Sequence, residues 1–274
     1  LFYLCYIIAI FDDKFENGDW LCNNCTESKN RDGFDLIGKV TSLAFSQIIE
    51  EVATFVGLSA NSNITPAMRK EWEEQRKIRQ RIAQEIELKK QQQVARQAQG
   101  LYRSVYPGDS SPYLERKRVP AVAGVKIDHL GNALIPAYDE TGFQWNMQTI
   151  HPDGGKYFVS DKEDPTGNKK GGRTAGCFFL IGTIELDCKV VGIAEGYATG
   201  ASIHMATGLP IFLSFVANNL PKVGQAVRAM YPNTMILYCA DDDSAKESTG
   251  LKYANEAVAV TGGIVVLPKF DEVA

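Results

Sequence analysis

The sequence lacks any hydrophobic run long enough to cross a membrane. Its most apolar stretch, residues 1–11, has only about half of the ~20 apolar residues that a spanning helix needs, and no positively charged residue precedes it. The β-branched and aromatic side chains of this stretch favour a strand. We therefore expect a chain without a membrane partner, located in the cytoplasm.

The chain also lacks an excess of positive charge, since its formal net charge is −4. The total therefore does not indicate a nucleic-acid-binding protein. The distribution is uneven, because residues 69–118 contain thirteen Lys and Arg against seven Asp and Glu. A basic tract of this kind either follows a phosphate backbone or forms a solvated helix of mixed charge, and both interpretations stay open.

Potential zinc ligands are few, with six cysteines and three histidines in the chain. Cys22 and Cys25 have the Cys-x-x-Cys spacing of half a zinc ribbon. Cys5 is the one cysteine upstream of them, and no histidine precedes His129, so four ligands cannot be assembled here. The other three cysteines are Cys177, Cys188 and Cys239, and each lies in an apolar run. This position predicts small core residues rather than disulfides.

Residues 66–102 predict one long helix. Pro66 suits the first helical turn, and Thr65 suits the N-cap. The helix is polar apart from a thin apolar stripe, which consists of Trp72, Ile78, Ile82, Ile86 and Val94. Such a helix is either a connector that lies partly in solvent or a weak coiled coil. We expect it to join an N-terminal module to a C-terminal core.

Acidic residues follow two short apolar runs in the C-terminal third of the chain. Glu195 follows residues 190–194, and three aspartates, Asp241 to Asp243, follow residues 235–240. The runs alternate with helical segments, which predicts an α/β fold with a parallel sheet and helices on its faces. Because the carboxyl ends of parallel strands meet at one edge, the acidic residues should form a pocket there. Carboxylate oxygens suit Mg²⁺ or Mn²⁺, and these ions suit phosphate chemistry.

Two motifs together resemble the Toprim domain of primases, topoisomerases and some nucleases. They are Glu195-Gly196-Tyr197-Ala198-Thr199-Gly200 and Asp241-Asp242-Asp243. The stretch ahead of them is similar to DNA primases of the phage and plasmid type, through residues 113–117, 134–142, 145–150, 153–158 and 176–179. The resemblance covers roughly residues 110–268. An ordered series of motifs is more specific than a lone glutamate with an Asp-x-Asp.

The resemblance implies an enzyme that synthesises RNA primers from ribonucleoside triphosphates on a single-stranded DNA template. Glu195 would be the acid/base or metal-facing carboxylate. Asp241 and Asp243 would hold the Mg²⁺ or Mn²⁺ that binds the phosphates of the incoming nucleotide, and Asp242 would point away, because side chains alternate across a strand.

Primases of this type also carry an N-terminal zinc ribbon. The resemblance therefore implies that this chain is a fragment with a partial ribbon, residues Cys22 and Cys25 being its half site, and that Zn²⁺ belongs to the complete protein. A helicase activity would lie in the missing part of the chain or in a separate protein, since no Walker motif is present.

A triphosphate and a template strand need cations besides the metal. The candidates for nucleotide or template contacts are Arg116, Lys117, Lys156, Lys170, Arg173 and Asn219. Lys170 and Arg173 flank glycines, whose backbone amides can approach phosphates, although the segment lacks the Walker spacing. Asn219 follows the second strand of the core and would either contact the sugar or shape the pocket.

We expect four segments: a partial zinc-ribbon module at 1–45, a helical linker at 46–107, a small β-rich lead-in at 108–185 and the Toprim domain at 186–270. Two other functions stay open. One is a Toprim nuclease or strand-cleaving enzyme, which would cut DNA without nucleotides. The other is a non-catalytic nucleic-acid-binding module, whose affinity for DNA would not depend on Mg²⁺.

Overall fold

A computed structural model of the chain describes residues 9–11, 20–22, 32–57, 65–160, 172–185, 187–240 and 249–268, the first two stretches by their backbone alone. The chain divides into two compact units, Leu1–Glu85 and Ile86–Ala274. The boundary falls inside a single long helix. The four-segment division stays a prediction.

The described side chains of the first unit, in residues 32–57 and 65–85, are mostly exposed. It contains an antiparallel strand pair and two short helices, which are β1 (Ala9–Phe11), β2 (Trp20–Cys22), α1 (Gly33–Thr41) and α2 (Phe45–Phe55). The two helices contact each other through Phe34 and Phe45, whose ring centroids lie 6.0 Å apart. Ile48 is the one buried side chain of these two helices. Cys22 ends β2 and Cys25 lies outside the described residues, so zinc binding stays a prediction.

The predicted long helix is confirmed as α3, Pro66–Arg103. Thr65 Oγ1 accepts a hydrogen bond from the Met68 N–H at 3.2 Å, which is the expected capping contact. Within the second unit, α3 buries the small side chains of Val94, Ala95 and Ala98, which lets the helix approach the neighbouring sheet closely.

An antiparallel sheet follows, as the β-rich lead-in predicts. Its order is β3-β4-β5-β6, and a short helix, α4, precedes it. The bounds are α4 (Pro112–Lys117), β3 (Lys126–Ile127), β4 (Ala133–Tyr138), β5 (Gln144–Ile150) and β6 (Lys156–Phe158).

The core sheet has five strands in the order β11-β10-β8-β9-β7. Its elements are β7 (Phe179–Ile181), β8 (Val190–Ala194), α5 (Tyr197–Thr207), β9 (Ile211–Leu213), α6 (Leu220–Met230), β10 (Met235–Cys239), α7 (Thr249–Thr261) and β11 (Ile264–Val266). The α/β fold class is confirmed, with β8, β9, β10 and β11 parallel. The prediction of a parallel sheet needs one correction, because β7 from the lead-in pairs antiparallel with β9 and forms an edge.

Helices pack on both faces of the central strands of the core sheet, which are apolar throughout, whereas Ile264 and Val266 of the edge strand β11 are exposed. Ile211 and Leu213 face one cluster together with Tyr197 of α5. Ile193 and Phe212 face the other cluster, with residues of α6 and α7. No helix in the described part of the chain is both long and apolar enough to cross a membrane.

One buried carboxylate organises the turn between β4 and β5. Asp139 Oδ1 accepts hydrogen bonds from Thr141 N–H (3.0 Å), Thr141 Oγ1 (2.6 Å) and Phe143 N–H (3.1 Å), and Oδ2 accepts one from Trp145 Nε1 (2.6 Å). Arg173 adds an ion pair at 3.7 Å and lies over the Trp145 ring. Burial by itself raises the pKa of Asp139, but the hydrogen bonds from Thr141, Trp145 and Phe143 outweigh it and hold the pKa below its usual value.

We predict that Asp139→Asn lowers the free energy of unfolding by about 1–3 kcal/mol at pH 7, because an amide cannot satisfy all of these donors. A carboxylate whose pKa is depressed by folding stabilises the fold above its unfolded pKa of about 4, and this contribution is lost as pH falls through the folded pKa. Urea unfolding between pH 7 and pH 3 should therefore show that the difference in free energy of unfolding between wild type and variant becomes smaller below about pH 4. Asp109→Asn, at an exposed position, is the control. A difference in free energy of unfolding that does not change with pH would contradict the stabilising role of the Asp139 carboxylate.

Candidate active site

The carboxyl edge of the core sheet holds Glu195. Strands β8 and β10 are parallel neighbours with Ala194 opposite Cys239, so Glu195 and Ala240 leave the sheet at the same edge. Paired strands lie about 4.8 Å apart. Ala240 is buried, and its N–H donates to Val266 O at 3.0 Å. Ala240 therefore leaves the sheet at the edge that holds the half-buried Glu195.

Glu195 is the one member of the predicted acidic triad that the structure describes. Asp241 and Asp243 lie outside the described residues, so the metal site stays a prediction. Among the residues that are described, no group of three or more His, Cys, Asp and Glu side chains could hold a metal ion.

The small residues after Glu195 let α5 begin close to the sheet. Gly196 is the N-cap of α5. A β-carbon at position 200 would lie 3.3 Å from both Ile181 Cδ1 and Ile211 Cγ2, which is tighter than ordinary contact. Gly200 therefore sets how closely the helix approaches the strands.

Tyr197 anchors the first turn of α5. It is fully buried, and its hydroxyl donates to Pro120 O at 2.8 Å and accepts from the Val122 N–H at 3.0 Å. Burial raises the pKa of Tyr197 to about 12, although the hydrogen bond from Val122 lowers it in part. The neutral hydroxyl thus ties the segment ahead of the antiparallel sheet to the start of α5.

Lys156 is the predicted contact residue that the structure places beside the Glu195–Gly196 turn. A β-carbon at position 196 would lie 3.4 Å from Lys156 Nζ. Strand β6, which carries this lysine, is held by Phe158, whose ring centroid lies 5.6 Å from that of Phe215 in an edge-to-face contact. The site therefore combines a carboxylate from one sheet with a cation from the other.

Phe215 was not singled out from the sequence, and nothing in its identity indicates its conformation. It is buried, and its φ is +70°, in the left-handed region that a bulky residue rarely adopts. Side-chain packing has to stabilise such a backbone, and the contact with Phe158 provides part of it.

The other predicted cations lie elsewhere. Arg116 is exposed on α4 and donates to Pro152 O at 2.8 Å, and Lys117 is exposed beside it. Arg173 is engaged by Asp139 and Trp145 at the β4–β5 turn. Lys170 lies outside the described residues.

Asn219 is buried and hydrogen-bonded to the backbone, and both of its predicted roles, contact with the sugar and shaping of the pocket, stay predictions. Its Oδ1 accepts from the Gly176 N–H at 2.8 Å. Its Nδ2 donates to Thr174 O (3.1 Å), Cys177 O (3.0 Å) and Ser214 O (3.0 Å). The buried side-chain amide therefore hydrogen-bonds two backbone segments, residues 174–177 and Ser214, and holds them together.

Two DNA primases TraC of Escherichia coli share sequence with this chain. One is 35% identical over 187 residues, which are 65% of this chain and 16% of that primase. The other is 33% identical over 204 residues, which are 72% of this chain and 13% of that primase. The chain thus spans less than a fifth of the length of these curated relatives. The predicted relationship to DNA primases is confirmed over that part, whereas the Toprim assignment and the zinc ribbon stay predictions.

No protein-family model matches the chain. Among solved structures, the primase fragment of the bacteriophage T7 primase-helicase protein covers 61% of this chain and 71% of its own length, with a TM-score of 0.42 and 15% identity. The structure of the Aquifex aeolicus primase, with its zinc-binding and RNA polymerase domains, covers 94% of this chain and 68% of its own length, with a TM-score of 0.33 and 14% identity. Because both TM-scores are below 0.5, the relationship to DNA primases rests on the sequence match to the TraC primases.

We predict that Asn219→Asp lowers the free energy of unfolding by roughly 3 kcal/mol, because a carboxylate oxygen would then face three carbonyl oxygens in a buried site. Thermal or urea unfolding measures the change. Asn218→Asp makes the same substitution one residue earlier, at an exposed position, and should have little effect. Equal stabilities of the two variants would contradict the role assigned to Asn219.

Proposed function

We propose that this chain is the catalytic part of a DNA primase with a Toprim-type site. It synthesises RNA primers from ribonucleoside triphosphates on single-stranded DNA, with Mg²⁺ or Mn²⁺. The sequence match to DNA primases supports the reaction. The observation that supports the site is the parallel pairing of β8 with β10, which brings Glu195 and Ala240, the residue before Asp241, to the same edge of the sheet.

The donor chemistry fits a hard divalent cation, because Glu195, Asp241 and Asp243 offer carboxylate oxygens alone. When bound, the ion supplies neutralisation of phosphate charge, which is the main requirement of phosphoryl transfer. Asp241 and Asp243 would hold it. Glu195, half-buried at the same edge, would accept the proton of the attacking hydroxyl.

Lys156 would pair with the nucleotide phosphates. Its ammonium group lies at the Gly196 end of the Glu195 turn. Charge-assisted contacts of this kind are worth roughly twice a neutral hydrogen bond. Arg116 and Lys117, which are exposed on α4, would contact the template backbone, and Lys170 and Arg173 would contact the nucleotide phosphates or the template.

The wider setting is also proposed. Single-stranded DNA is the template partner, and a helicase activity acts with the primase, either within a longer chain or as a separate protein. Zn²⁺ belongs to a complete N-terminal ribbon to which Cys22 and Cys25 contribute. The cytoplasm is the proposed location.

We predict that Glu195→Gln lowers kcat for primer formation by about 10²- to 10⁴-fold, because the proton acceptor is lost. Lys156→Ala should instead raise the KM for nucleotides by roughly tenfold or more, the effect of one lost charge-assisted contact. Extension of primers with labelled nucleotides on a single-stranded template measures both. Lys189→Ala is the matched control, because Lys189 is exposed just before β8, at the opposite edge of the sheet.

Undiminished primer formation by an Asp241→Ala, Asp243→Ala double variant would remove the metal assignment. Cutting of the template in the absence of nucleotides would favour the nuclease instead. DNA binding that is indifferent to Mg²⁺, with no synthesis, would favour the binding module.

A further inference from the structure

The N-terminal half of α3 carries apolar side chains that face solvent. Met68, Trp72, Ile78, Ile82 and Ile86 are between 38% and 54% exposed. All lie on one continuous helix. At 100° per residue these positions fall within one broad stripe rather than around the whole helix. Apolar side chains exposed together along one side of a helix indicate a contact surface.

The stripe has heptad spacing. With Trp72 taken as position a, Met68 and Ile82 fall at d and Ile86 falls at the third a. Gln75 and Arg79 occupy the d and a positions between them. Over residues 68–86 the seam is therefore apolar at both ends and polar in the middle, and Lys89 occupies the next d position. Polar residues at such positions set the register of a coiled coil and reduce its stability.

The charges beside the seam differ between its two flanks. One flank, position g, has Glu71, Ile78 and Glu85, and the other, position e, has Arg69, Arg76, Ala83 and Lys90. In a parallel, in-register pair of helices, g of one helix lies beside e of the other, five residues further on. This pairs Glu71 with Arg76 and Glu85 with Lys90. An antiparallel pair would place the acidic flanks together, which is repulsive.

We propose that residues 68–90 of α3 form a parallel, in-register two-stranded coiled coil with a second copy of this chain. A second copy is the occupant because each flank of the helix supplies the charges that complement the opposite flank of an identical helix. The polar centre of the seam makes the association weak and reversible.

Charge reversal tests the orientation. In sedimentation equilibrium the wild-type chain should dimerise, and Glu71→Lys with Glu85→Lys should weaken the dimer by about tenfold or more. Adding Arg76→Glu and Lys90→Glu to that variant should restore the affinity. The control exchanges Glu73 and Lys77, which form an ion pair of 3.0 Å within one helix, away from the stripe, and it should leave the affinity unchanged.

A wild-type chain that stays monomeric over the accessible concentrations would overturn the proposal. So would a charge-reversed variant that dimerises as well as wild type, or a control exchange that weakens the dimer equally. Far-UV circular dichroism on each variant shows whether α3 is intact.

Disulfide trapping tests the register independently. Identical d positions face each other across a parallel seam, so Gln75→Cys should form a cross-linked dimer on mild oxidation. Gln80→Cys, on the outer side of the same helix, should not exceed the background from the native cysteines. Equal cross-linking of the two variants would contradict the register.

Discussion

The parallel pairing of β8 with β10 is the constraint on which the candidate site depends. Because Ala194 lies opposite Cys239, the chain leaves both strands at one edge, and Glu195 and Ala240, which are 45 positions apart in the sequence, lie at that edge. A shift of this register by one residue would turn every buried side chain of a strand to the other face. Apolar packing on both faces therefore fixes the position of Glu195 as firmly as it fixes the core.

A second set of contacts brings the antiparallel sheet to that edge. Tyr138 and Phe178 exchange backbone hydrogen bonds at 2.9 and 2.8 Å, which links the two sheets directly. The hydroxyl of Tyr197 and the amide of Asn219 tie further backbone segments to the strand ends. Through these contacts Lys156, which belongs to one sheet, lies beside a turn of the other. The candidate site therefore draws on residues of both sheets.

Local patterns in the sequence were enough to place the main elements. The helix predicted over 66–102 is α3, and the runs that precede Glu195 and Asp241 are β8 and β10. Contacts between distant segments were not predictable in this way. The antiparallel placement of β7 depends on pairing with β9 about 30 residues later, and a three-residue apolar run carries no information about its partner. The positive φ of Phe215 and the four backbone partners of Asn219 likewise arise from tertiary packing, which residue identity alone does not reveal.

The most direct measurement of the central claim is the position of a bound Mn²⁺, located by anomalous X-ray scattering in crystals of the protein. The account predicts one ion within about 2.5 Å of carboxylate oxygens of Asp241 and Asp243, with Glu195 at the same pocket. An ion held elsewhere, or carboxyl groups of Glu195 and Asp241 that lie more than about 10 Å apart with no ion between them, would contradict it.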